Sequence, residues 1–265
     1  MSEISLQQIA EIADSVEAGE PSREGVAPAV AWVSASRTDL GRVRHVNEDA
    51  FLDSPEQRLW VVADGMGGHS RGDYASGAVI RQLRAFPRKS SLLVNLQDLE
   101  GRLQAANEQC RNAFRNKQPG TTVVTMLAHG NHCFFLWAGD SRVYRLRDRA
   151  LEQLTEDHSL ARQKLANGQL TEEEAANHSS AHVLTRAVGI REKLELELGH
   201  SEVEAGDRYL LCTDGLYNSL DAPGIGALLG QGKPEDACEA LVDLALERGG
   251  RDNITVIVVS ATDGG

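Results

Sequence analysis

Short apolar runs that stop at an acidic residue beside a glycine recur along this chain, and they constrain its fold more than any other feature. Leu59-Trp60-Val61-Val62-Ala63 stops at Asp64 and Gly65, run 133–138 at Gly139 and Asp140, and run 209–212 at Thr213, Asp214 and Gly215. Asp252 precedes Asn253 and the run that begins at Ile254, and Glu48-Asp49 precedes Ala50-Phe51-Leu52. Apolar runs of this length bounded by turn residues read as buried strands. A carboxylate at the end of a buried strand is costly unless it is paired or bound to a cation. Any one aspartate before a glycine is an ordinary turn residue; the recurrence at distant strand ends is what carries information. Gathered at one end of a pair of sheets, such carboxylates would repel each other unless metal neutralised them. Hard divalent cations such as Mn²⁺ or Mg²⁺ take oxygen ligands of this kind.

The strand series continues at 122–128 and 133–138, joined by His129-Gly130-Asn131-His132 as a hairpin, and at 143–146, 151–154, 209–212 and 254–259. Two helices stand out. Over 96–114, Leu96, Leu99, Leu103, Ala106, Cys110 and Ala113 form one apolar stripe. Over 235–248, Cys238, Leu241, Val242, Ala245 and Leu246 do the same, with Pro234 at the start and Gly249-Gly250 at the end. Short turns between strands and few, clustered helices predict an α+β fold, antiparallel sheets with helices packed outside.

The 265 residues suffice for one substantial domain or two small ones. The body is expected over 32–261. Residues 1–31 read as an N-terminal extension: Ile9, Ile12, Ala13 and Val16 have helical spacing, and Gly19, Pro21, Gly25 and Pro28 then make a linker. Its pattern is compatible with docking on the body, with disorder and with binding a partner. Residues 159–182 are polar and weakly periodic, an excursion from the core in which Thr171 caps a short acidic helix.

With 27 basic and 39 acidic residues the net charge is −12, which opposes binding to nucleic acid or to an anionic membrane face. No apolar run approaches the roughly 20 residues that span a bilayer, and the acidic N-terminus is no secretory signal. Cys110, Cys133, Cys212 and Cys238 form no CxxC pair, so reduced, buried thiols in a cytoplasmic protein are expected.

The same acidic positions fall inside a longer series of motifs. Gly41-Arg42-Val43-Arg44-His45-Val46-Asn47-Glu48-Asp49 resembles the GxxRxxNED signature of bacterial PP2C (PPM) phosphatases, and Asp64-Gly65-Met66-Gly67-Gly68-His69 resembles their DGMGGH motif. Further matches follow in family order: Gly120-Thr121-Thr122, Gly139-Asp140-Ser141-Arg142, Leu154-Thr155-Glu156-Asp157-His158-Ser159, Leu184-Thr185-Arg186-Ala187-Val188-Gly189, Thr213-Asp214-Gly215-Leu216 and Asp252-Asn253-Ile254-Thr255. They span about residues 34–259.

The resemblance implies an α-β-β-α sandwich, two antiparallel sheets flanked by helices, with two metal ions in a cleft at one end. It implies hydrolysis of phosphoserine and phosphothreonine on proteins by a water shared between the ions. Asp64 would bridge the metals and the Gly65 carbonyl would bind one. Asp214 and Asp252 would complete the first metal's ligands, and Glu48 and Asp49 would serve the second, partly through water. Asp140, with Asp214, matches the position of a weaker third ion. Arg44 matches the arginine that binds the substrate phosphate, and 159–182 corresponds to the flap beside the cleft. A monomer opposing a bacterial serine/threonine kinase is the family's usual condition.

Met66 stands where animal members have a histidine thought to protonate the leaving group, so that role is unassigned. His69 lies nearby and reads as a structural histidine. His129 and His132 read as turn residues; His178 and His182 have i,i+4 spacing, but no third zinc ligand is near in sequence. A pseudophosphatase would have lost metal aspartates, and every matched position is filled. A nuclease is opposed by the acidic balance.

Overall fold

The computed structural model describes Glu11, Asp14 and residues 30–67, 71–114, 119–176 and 178–264. Glu11 and Asp14 are helical and exposed; of the extension expected over 1–31, Val30 and Ala31 already belong to the first strand, and the other residues lie outside the described ones, as does His69. The body opens with strands β1 (Val30–Asp39), β2 (Asp49–Ser54) and β3 (Leu59–Met66), then helices α1 (Gly72–Arg84) and α2 (Leu92–Ala113). Strands β4 (Gly120–Thr121), β5 (Val123–His129), β6 (His132–Ala138), β7 (Arg142–Arg147) and β8 (Ala150–Gln153) follow. Helices α3 (Leu160–Ala166) and α4 (Glu172–Ala176) precede β9 (Glu197–Glu202) and β10 (Arg208–Cys212). The chain closes with α5 (Asp214–Tyr217), α6 (Ala222–Leu229), α7 (Pro234–Glu247) and β11 (Ile254–Asp263).

The strands form two antiparallel sheets, ordered β1-β11-β10-β7-β8 and β2-β3-β5-β6-β9, with β4 paired to β3. The unbroken apolar runs have a simple cause: both faces of these strands are covered. In β3, Leu59, Val61 and Ala63 face α1 and α2, while Trp60 and Val62 enter the space between the sheets. In β11, Ile254, Val256 and Val258 pack on α7, and Ile257 and Val259 point inward. The result is the expected four-layer α-β-β-α sandwich. Each fully buried aliphatic or aromatic side chain contributes about 1.5–3 kcal/mol, so three apolar seams make the strand ends rigid mounting points.

Helix α2 starts at Leu92, earlier than its stripe predicts, because Ser91 Oγ accepts the Val94 N–H at 3.5 Å and Leu92 is itself buried. Helix α1 has no counterpart among the predicted helices. Its stripe of Ala75, Ala78, Val79 and Leu83 is made largely of small residues and begins in a glycine-rich stretch, so its periodicity is faint. Strand β9 is likewise unpredicted: ELGHSE has no apolar run, and the strand exists by pairing along β6.

The excursion leaves the body at Ser159 and returns at Leu184, and these two residues pair as an isolated bridge. Ser159 Oγ accepts the Arg162 N–H at 3.3 Å and caps α3. Thr171 Oγ1 accepts the Glu174 N–H at 3.3 Å while Glu174 Oε2 accepts the Thr171 N–H at 2.8 Å, a capping box at the start of α4.

Candidate metal centre

Pairing of β2 with β3 sets Asp49 directly opposite Asp64 at one end of their sheet. The Asp64 backbone is held firmly: its N–H donates to Thr122 Oγ1 at 2.9 Å, and its carbonyl accepts from Thr122 N at 2.9 Å and Thr121 Oγ1 at 2.8 Å. The next residue has no room for a side chain, since a Cβ on Gly65 would collide with the carbonyls of Gly72 and Glu48. The Gly65 N–H donates to the Glu48 carbonyl at 3.2 Å, and Glu48 Oε1 accepts the Gly72 N–H at 3.1 Å at the start of α1.

The other sheet supplies the facing groups. Thr213 Oγ1 and Thr255 Oγ1 donate to Asp49 Oδ2 at 2.9 and 2.7 Å, so Asp49 is tied across the sandwich. Asp214 opens α5 where β10 ends, and Asn218 Nδ2 donates to its Oδ2 at 3.1 Å. Asp252 precedes β11 and pairs with Arg44 Nη2 at 2.7 Å. Asn253 shapes the loop that carries Arg44: its Nδ2 donates to the carbonyls of Leu40 and Val46 at 2.9 and 3.1 Å, and its Oδ1 accepts the Glu48 N–H at 2.9 Å.

Glu48, Asp64, Gly65, Asp140, Asp214 and Asp252, with Arg44 and Met66, line one cleft of about 710 Å³; Asp49 lies behind them. Burial pushes Asp64 well above the ordinary carboxylate range, and the charges of Asp49, Asp214, Asp140 and Asp252 push it further. Asp49 is raised to about 7, by burial first, although the bonds from Thr255 and Thr213 oppose the shift. Asp140 also rises to about 7, from burial and then the charges of Asp214 and Asp157. Asp214 is raised by burial and by Asp252.

These oxygen donors fit a hard divalent cation, whose charge would relieve the repulsion that raises them. Among the described residues no three histidine, cysteine, aspartate or glutamate side chains stand in a ready-made metal cage. Asp252 is paired with Arg44, and Asp49 is bonded to two threonines.

Sequence reasoning did not identify Thr122, Thr213 and Thr255 as supports of the carboxylates. They stand next to or within the quoted motifs, but the partners they reach are fixed by cross-strand register. His182 was also missed as a cleft residue; its Nδ1 lies 4.0 Å from Asp214 Oδ2. His178 does not face it, since its Nδ1 accepts from Ser180 N and lies 2.7 Å from Ser180 Oγ. His129 and His132, expected as turn residues, are the last residue of β5 and the first of β6 and pair with each other, because the turn needs only Gly130 and Asn131.

The sequence model of the family described as Protein phosphatase 2C matches residues 42–234. The serine/threonine phosphatase stp of Listeria monocytogenes serotype 4b is 34% identical over 235 residues, covering 84% of this chain and 93% of the relative. Among solved structures, PppA, described as a key regulatory component of T6SS in Pseudomonas aeruginosa, is 43% identical with a TM-score of 0.81, over 87% of this chain and 97% of that one. The catalytic domain of the phosphatase PstP, solved in complex with 2 manganese ions, is 35% identical with a TM-score of 0.77, over 88% of this chain and all of that one. Fold, motif order and cleft agree, and the chain belongs to the protein phosphatase 2C family.

The raised carboxylates carry a pH signature. Between about pH 4 and about pH 7 the folded state keeps protons on Asp49 and Asp140 that the unfolded chain has released. Their contribution to stability is therefore full below about pH 4 and is lost as pH rises through about 7. Cation binding competes with those protons, so Mn²⁺ should raise Tm more at about pH 7.5 than at about pH 5.5. Thermal melts with Mn²⁺ and with EDTA at both pH values measure this; an equal or larger shift at the lower pH would contradict it.

Proposed function

We propose that this protein is a metal-dependent phosphatase that hydrolyses phosphoserine and phosphothreonine on proteins, using two Mn²⁺ or Mg²⁺ ions held by the cleft carboxylates. The observation that carries this reading is the meeting of Asp64, Asp140, Asp214 and Asp252 in one cleft at the ends of both sheets, with Arg44 among them. Asp64 would serve both ions, and the Gly65 carbonyl one of them. Asp214 and Asp252 would complete one ion's protein ligands, Glu48 and Asp49 would serve the other partly through water, and Asp140 with Asp214 would hold a weaker third. The ions supply charge neutralisation and activation of water for attack on phosphorus.

The chain's own residues do the positioning. Arg44 is exposed at the cleft and aimed through its bond to Asp252, and its other N–H groups would grip phosphoryl oxygens. Met66 lines the cleft without a proton to give. No cysteine is suited to attack phosphorus: all four are buried, and burial pushes the thiols up, Cys110 to about 11 and Cys212 and Cys238 to about 12.

Among the described residues no helix is long and apolar enough to cross a membrane. The setting we infer is a cytoplasmic monomer opposing a serine/threonine kinase. The description of PppA makes control of secretion one such setting. Residues 32–261 would be the catalytic unit and 159–182 a flap over substrate.

Hydrolysis of a phosphothreonine peptide tests the reaction. EDTA should abolish it, Mn²⁺ should restore it, and a folded variant with all four cysteines changed to serine should keep it; loss in that variant would point to thiol chemistry. A second measurement concerns Arg44. Arg44→Ala should lower kcat/KM by about tenfold to a hundredfold, the roughly 1.5–3 kcal/mol of a charged hydrogen bond. Mn²⁺ affinity should not fall, because the substitution releases Asp252. Unchanged kcat/KM would remove Arg44 from the substrate site.

A further inference from the structure

His158 takes no part in the chemistry above, yet it is buried, 5% exposed, and bonded on every polar edge. Its imidazole lies flat on Trp137, with ring centroids 5.9 Å apart and planes 7° apart. Nδ1 accepts the Gly139 N–H at 3.1 Å. A neutral ring must then carry its proton on Nε2, which faces Glu197 Oε2 at 3.0 Å. Arg186 Nη1, just beyond the flap, lies 3.1 Å from Nε2 and 3.3 Å from that oxygen, so the Glu197 carboxylate sits between the imidazole and the guanidinium.

The backbone of His158 is engaged too. Its N–H donates to the Gly139 carbonyl at 2.9 Å, and its carbonyl accepts the Thr185 N–H at 2.8 Å. One residue thus grips Gly139 by both its N–H and its carbonyl, and holds the segment that returns from the flap. Gly139 needs such a grip. Its φ of +117° is open only to glycine, and a Cβ would lie 2.6 Å from Thr122 Cβ, the residue that also holds Asp64. The flap end is bound at the same place: Ser159 pairs with Leu184, and Leu160 N donates to the Val183 carbonyl at 2.8 Å. Asp140, one residue past Gly139, and Leu184, one before Thr185, both line the cleft.

We infer that His158 is a positioning residue that clamps the Asp140 turn to the root of the flap, so that the carboxylate and the flap hold their places together. The imidazole has two separable features, an acceptor aimed at Gly139 and a ring stacked on Trp137. The clamp requires the acceptor. Without it a buried N–H loses its partner, and a glycine has few steric limits on how far its peptide can turn. Simple packing would require the ring instead.

Two substitutions separate these features. In His158→Asn, Oδ1 takes nearly the place of Nδ1 and keeps the acceptor while the ring is lost. In His158→Phe the ring and its stack are kept and the acceptor is lost. Hydrogen exchange at Gly139 and Thr185, with Mn²⁺ titration by calorimetry, reads the outcome. His158→Phe should speed exchange at both amides by about tenfold and weaken the weaker Mn²⁺ event by a similar factor, while the tight event is unchanged. His158→Asn should stay within about twofold of wild type in both readouts. The reverse order, or no change in either variant, would overturn the clamp. If His158→Phe does not fold, His158→Asn decides alone: native protection supports the clamp and its loss refutes it. The calorimetric arm rests on Asp140 holding the weaker ion. Wild-type protein with no weaker Mn²⁺ event would refute that reading, whereas the exchange arm judges the clamp without metal.

Discussion

Like charges held close at the end of two sheets govern the architecture of this protein. Asp49, Asp64, Asp140 and Asp214 are all raised above the ordinary carboxylate range, by burial first and also by the charges of neighbouring aspartates, Asp252 among them. Water would spread such groups apart. Here each is fixed by the backbone at a strand end, and the strands cannot yield without opening a packed core. Trp60 and Val62 between the sheets and Val61 and Ala63 under the helices are fully buried, so the Asp64 position is braced on two sides.

Around that core the molecule distributes partial compensation. Thr213 and Thr255 donate to Asp49, Arg44 pairs with Asp252, and Asn218 donates to Asp214. None of these neutralises Asp64 or Asp140. The remaining repulsion is of the kind that a divalent cation would relieve, without a rigid cage. Preorganisation lies in the backbone, in Thr122 beneath Asp64 and in His158 beneath the Asp140 turn, and the side chains keep freedom to adjust.

The strand ends and their acids were legible in the sequence because strands buried on both faces read as unbroken apolar runs, and the residue after each run stands out. Antiparallel sheets with helices outside followed from the short turns between runs, and the four-layer sandwich from the family resemblance of the motif series. Helix α1 was not legible, since alanines make a faint stripe, and β9 was not, since a polar edge strand has no signal of its own. The supporting threonines and His158 were hidden for another reason. Thr255 is 206 residues from Asp49, and His158 is 19 residues from Gly139, so their roles depend on register and packing that no local pattern encodes.

Asp64→Asn tests the centre most directly. The amide is nearly isosteric, so packing at the end of β3 should survive and the circular dichroism spectrum should stay native-like. It carries no charge and cannot serve two cations as a carboxylate does. Calorimetry should show weakened Mn²⁺ binding, and kcat on a phosphothreonine peptide should fall by several orders of magnitude. Near-wild-type turnover by metal-loaded Asp64→Asn protein would contradict a mechanism built on two ions sharing this carboxylate.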